Sequence, residues 1–169
     1  MIWNYFEPYR EKREALINDP DTVHDIMLAG AKKTRKVATE NLEKARAAID
    51  QARALDDDFP ELHLAQGAYW YWGFLDYDRA IPELEKAVAL MPGNAEAHMW
   101  RGWTLRRSGR LEEALVSMRR SLELDPRAPF NWLEYGQTLS YLHRFDEALA
   151  AIEQTRALRQ LELWASAYT

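Results

Sequence analysis

Cysteine is missing from all 169 residues, which excludes disulfides and any thiolate metal site. No stretch stays apolar for 18 residues, so no membrane span is expected. The opening Met1-Ile2-Trp3-Asn4-Tyr5-Phe6-Glu7 has no basic start followed by an apolar run, so no secretory leader is expected. Basic charge is not in excess: the net charge is −5, and nothing global points to nucleic acid. The phosphate-loop pattern Gly-x4-Gly-Lys-Ser/Thr and the dinucleotide pattern Gly-x-Gly-x-x-Gly are both absent. The four histidines, His24, His63, His98 and His143, never fall at the His-x3-His spacing that places two ligands on one helix face. Ser140 and His143 share a helix end, yet no oriented acid accompanies them. The chain is therefore expected to be no enzyme, with no catalytic residues, metal or cofactor, and to be cytoplasmic.

What the chain does have is a period of 34. Ala80, Ala114 and Ala148 are 34 apart; so are Ala68, Gly102 and Gly136; Tyr71, Leu105 and Leu139; Tyr77, Leu111 and Phe145; and Pro92 and Pro126. Five columns in register imply a repeated pair of helices, which cannot bury its apolar face alone and is stabilised by stacking on its neighbours. First helices are predicted at about 61–74, 95–108 and 129–142, and second helices at about 78–91, 112–125 and 146–159. Ala68, Gly102 and Gly136 are expected where the helices of each pair cross closely, with Ala80, Ala114 and Ala148 opposite. Asp78, Glu112 and Asp146 suit the positive end of the second helix. Pro92 and Pro126 stop it.

These columns resemble the tetratricopeptide repeat. Leu64-x2-Gly67-Ala68-x2-Tyr71, Ala80-x3-Leu84 and Pro92 match one unit. His98-x2-Arg101-Gly102-x2-Leu105, Ala114-x3-Met118 and Pro126 match the next. Trp132-x2-Tyr135-Gly136-x2-Leu139 and Ala148-x3-Ile152 match a third, where Gln160 replaces the proline. His98 occupies a column where this family often has tryptophan, and a packing role is expected. The resemblance implies an all-α fold: a solenoid of three helical-hairpin repeats (61–94, 95–128, 129–162). It also implies a concave groove lined by the first helices. Carried onto this chain, the lining is Tyr69, Trp72, Met99, Trp103, Arg106, Arg107, Phe130, Leu133, Gln137 and Tyr141. The lysines and asparagines of the family's chaperone-tail clamp are absent there. Aromatics and arginine dominate binding energy at interfaces, so the expected partner is a peptide or protein segment, with Arg106 and Arg107 able to meet a carboxylate.

Residues 1–44 stand outside the period. Five of the six lysines lie there, and twenty of the twenty-four alanines fall at 45 or later. The run Phe6-Glu7-Pro8-x-Arg10-x-x-Arg13-x-x-Leu16, then Asp19-Pro20, then Ile26-Met27-Leu28-x-Gly30-Ala31-x-Lys33-x-Arg35-x-Val37-Ala38-x-x-Asn41-Leu42 resembles the C-terminal helical tail of tryptophanyl-tRNA synthetases. The nucleotide-binding fold and signature motifs of that family are absent, so the resemblance carries no synthetase activity. A helix is expected at 7–17, a turn with Asp19 as N-cap and Pro20 at N1, then a helix from 20 with a kink at Gly30. Ala45, Ile49, Ala52 and Leu55 look like the second helix of a partial repeat (41–58). No glycine or proline lies between 31 and 59, so one helix, about 31–56, is expected to join the N-terminal segment (1–44) to the array (45–169). The basic cluster Lys32, Lys33, Arg35 and Lys36 reads as a solvated helix face, and neither nucleic acid nor membrane is expected as a partner. The alternative to a peptide-binding scaffold is an engineered or chimeric fusion whose purpose is rigid geometry, without a cognate ligand.

At the C-terminus (161–169), Leu158, Leu161, Leu163, Trp164 and Tyr168 are apolar where a solenoid wants a polar cap. Self-association through this last helix into a homo-oligomer is expected.

Overall fold

The computed structural model describes residues 5–167, with side-chain surroundings up to residue 160. The described residues form helices joined by short turns, with no strand: α1 (Glu7–Ile17), α2 (Pro20–Leu55), α3 (Pro60–Phe74), α4 (Tyr77–Leu90), α5 (Ala95–Arg107), α6 (Leu111–Leu124), α7 (Pro129–Tyr141) and α8 (Phe145–Ala167). The chain divides into two compact units, Met1–Ala45 and Arg46–Thr169.

In the first unit, α1 and the start of α2 meet at a turn capped as the sequence predicts. The Thr22 amide donates to Asp19 Oδ1 at 3.1 Å. The hydrogen bonds from Thr22, side chain first and amide second, hold the Asp19 carboxyl below its ordinary range. Neither α1 nor α2 has a buried residue. The kink expected at Gly30 is absent: α2 continues through it as one helix, and Thr34 Oγ1 donates to the Gly30 carbonyl at 2.9 Å.

The second unit is an α-solenoid of helical hairpins, α3–α4, α5–α6 and α7–α8, and its core is continuous from one hairpin to the next. Tyr71, Ala80 and Leu84 pack between α3 and α4. Ile81 reaches Leu105 and Ala114. Met99, Leu115, Met118, Leu122, Tyr135, Leu139, Ala148 and Ala151 form the largest cluster. The alanine column is buried throughout. Close approach explains the small residues opposite it. A Cβ on Gly102 would lie 2.6 Å from Met118 Cγ, and one on Gly136 would lie 3.3 Å from the Ala148 carbonyl oxygen. In the first hairpin the tight residue is Gly67, not the expected Ala68: a Cβ there would lie 2.5 Å from Leu84 Cγ.

Turns repeat with the same period as the core. Leu75, Gly109 and His143, each 34 apart, all take positive φ: 53°, 84° and 59°. The residue after each opens the next helix. Asp76 accepts from the Arg79 amide at 3.1 Å. Arg110 and Arg144 instead form two-pronged pairs with Glu113 and Glu147, at 2.6–2.7 Å. The arginine hydrogen bonds hold both glutamates below their ordinary range.

The partial repeat expected at 41–58 buries little. Ile49 and Ala52 are half-buried, but Leu55 is 90% exposed.

Candidate functional site

The first helices of the three hairpins present a continuous row of aromatic rings. Trp72 on α3 meets Trp100 on α5 edge-on, with centroids 6.3 Å apart. Trp100 meets Trp103 at 5.1 Å, and Trp103 meets Phe130 on α7 at 5.7 Å. Edge-to-face contacts of this kind suit the ring quadrupole. The ends of the row face solvent: Trp72 is 67% exposed and Phe130 is 50% exposed. Trp103 is half-buried against the core, and its Nε1–H is buried without a partner among the described residues.

One helical turn past Trp103, at the end of α5, the surface turns to charge. Arg106, Arg107, Leu111, Gln137 and Tyr141 line a cleft of about 460 Å³ between α5 and α7. Arg106 is not available to a ligand in the way the sequence suggests. It pairs with Glu134, and it also donates to the Glu134 carbonyl at 3.3 Å and to Gln137 Oε1 at 3.4 Å. Arg107 is exposed and has no ion pair among the described residues. It is the cation that this cleft leaves free.

The residues named from sequence therefore separate. Trp72, Trp103 and Phe130 belong to the row, and Arg107, Gln137 and Tyr141 to the cleft. Leu133 is half-buried. Met99 is a correction: at 2% exposure it is a core residue, because its side chain points between α5 and its neighbouring helices. Tyr69 is a second correction, since it lies with Trp70 and Phe74 in a different cavity. Trp100 was missed. It sits beside Met99 in sequence, and only the tertiary packing shows which of the two meets the row; its Nε1–H donates to Glu96 at 3.3 Å. Leu158 is half-buried. The side chains of Leu161, Leu163, Trp164 and Tyr168 lie outside the described residues.

His98 does pack, as its column suggests. Its Nε2–H donates to the Pro92 carbonyl at 3.1 Å, and 34 residues later Trp132 Nε1–H donates to the Pro126 carbonyl at 2.9 Å. Burial pushes the His98 pKa down.

The stacked hairpins have the architecture of a tetratricopeptide-type α-solenoid. The family model of the tetratricopeptide repeat matches residues 68–129, within the array. Solved structures of MamA share its fold. One MamA structure has a TM-score of 0.65 at 17% identity, over 91% of this chain and 88% of that one. MamA 41-end from Desulfovibrio magneticus RS-1 has a TM-score of 0.58 at 25% identity, over 75% and 71%.

The sequence also matches tryptophan–tRNA ligases over a short stretch. That of Rhodopirellula baltica is 52% identical over 42 residues, and that of Pseudomonas aeruginosa is 48% identical over 49. The matches cover 25% and 29% of this chain but only 13% and 11% of the ligases, and support the resemblance read in the N-terminal segment. None of the described helices is long and apolar enough to cross a membrane.

Proposed function

We propose that the array is a non-catalytic scaffold that holds a peptide or protein segment across its first helices. The observation that carries this is the aromatic row Trp72–Trp100–Trp103–Phe130, exposed at both ends, with the Arg107 cleft one helical turn past Trp103. The two sites lie four residues apart on α5 (Trp103 to Arg107), about 6 Å along the helix. An extended peptide advances about 3.3 Å per residue. The segment that fits best therefore places an apolar or aromatic residue against Trp103 and a carboxylate about two residues away, against Arg107.

The test is a peptide library with this spacing, read by fluorescence polarisation on the full chain. Phe130→Ala and Arg107→Gln are the informative variants, because both side chains are exposed and their loss leaves the core intact. Each is expected to weaken binding roughly thirtyfold, the threshold of about 2 kcal/mol for an interface hot spot. Equal binding by both variants would remove the site. The domain division, 1–44 and 45–169, is part of the same proposal, with the N-terminal segment a separate module that carries no ligase activity.

A further inference from the structure

On the other face of α3, away from the aromatic row, lies a second cavity of about 450 Å³, within the 300–1,000 Å³ range of small-molecule sites. One wall is α3, whose Gln66, Tyr69, Trp70 and Phe74 fall on one face at helical spacing. The opposite wall is the end of α2, with Arg46, Ile49, Asp50 and Arg53.

Three features of this cavity point to a ligand. Tyr69, Trp70 and Phe74 form a mutual cluster with centroids 5.2–5.4 Å apart, and Arg79 covers the Trp70 ring at 4.7 Å. Gln66 is only 4% exposed, yet its amide has no hydrogen-bond partner among the described residues. Its polar atoms reach the open cavity, where a ligand can pair with them. Finally, the arginines on the α2 wall are weakly engaged. Arg46 and Arg53 lie 3.8 and 3.9 Å from Asp50, and Arg53 lies 3.4 Å from Asp57. A guanidinium has five donors, so most of theirs remain unused.

We propose that this cavity binds a mononucleotide. A nucleobase is flat and stacks on aromatic rings and guanidinium planes alike. Its edge sets a donor beside an acceptor, the arrangement a glutamine amide pairs with bidentately. A simple aromatic acid would stack as well but would leave Gln66 unpaired. The anionic phosphate meets Arg46 and Arg53, which suit bidentate phosphate recognition. This site is separate from the aromatic row and stands or falls without it.

The experiment is calorimetric titration of the full chain with AMP, GMP, CMP and UMP. Inorganic phosphate, the matching nucleosides and N-acetyltryptophan serve as comparison arms. At least one mononucleotide is expected to bind at least tenfold more tightly than its nucleoside, than phosphate and than N-acetyltryptophan. Gln66→Leu is expected to weaken that binding about tenfold while leaving the circular dichroism spectrum of the unliganded chain unchanged. The exposed double change Arg46→Gln and Arg53→Gln should close the gap between nucleotide and nucleoside and flatten the salt dependence. The proposal is overturned by no saturation with any of the four, by equal affinity for N-acetyltryptophan or phosphate, or by binding that neither variant alters.

Discussion

Leu75 and His143 occupy a backbone conformation that suits glycine. The left-handed region costs a side chain about 1–2 kcal/mol, because Cβ approaches the following carbonyl. Gly109 holds the same position in the middle repeat without that cost. Both side chains are exposed, so little packing is lost on removing them. Leu75→Gly and His143→Gly are each expected to raise stability by about 1 kcal/mol, measured by urea unfolding. His98 carries a pH dependence of definite sign. Burial, aided by Arg120 and Arg101, lowers its pKa in the folded chain, so the unfolded chain takes up the proton first. The stability it contributes is complete above the unfolded value of about 6.5 and is lost as pH falls through the folded value. Unfolding measured at about pH 7.5 and about pH 5.5 should show this loss, and His98→Gln, which keeps a donor for the Pro92 carbonyl, should reduce it.

Two glycines in helices separate propensity from packing. Gly102 lies where α5 meets α6, and an added methyl group would sit 2.6 Å from Met118 Cγ. Gly102→Ala is expected to destabilise by about 1–3 kcal/mol through overpacking. Nothing lies within 4 Å of a Cβ built on Gly30, deep inside α2. Gly30→Ala should therefore stabilise that helix by about 1 kcal/mol and raise the circular dichroism signal. The element boundaries were legible in the sequence because the period sets them: helices predicted at 95–108 and 112–125 are found at Ala95–Arg107 and Leu111–Leu124. The kink at Gly30 was not legible as absent, since glycine weakens a helix without breaking it, and the surroundings decide.

Across the whole chain, burial is unevenly placed. The hairpins share a core that passes from α3 to α8, whereas α1 and α2 bury no residue. Amide hydrogen exchange is expected to protect α4, α5 and α6 most and residues 7–45 least, because local opening costs little where no packing is lost. Uniform protection along the chain would contradict this distribution. The candidate site was legible only in part. The residue types on the first helices were readable from the column positions, but Arg106 is committed to Glu134, and a lone glutamine such as Gln66 in a helix carries no signal in the sequence.

The amino-acid order alone determined the period, the helix lengths, the buried alanine column and the change of character near residue 45. Those follow from spacing, and spacing is local. Which of two adjacent side chains, Met99 or Trp100, fills the core and which joins the aromatic row was decided by packing between hairpins. The same holds for which of Arg106 and Arg107 keeps a free charge, because that depends on where Glu134 arrives from another helix. A one-residue step turns a helical side chain by about 100°, so a column correct in register still needs the neighbouring helix to show which way it faces.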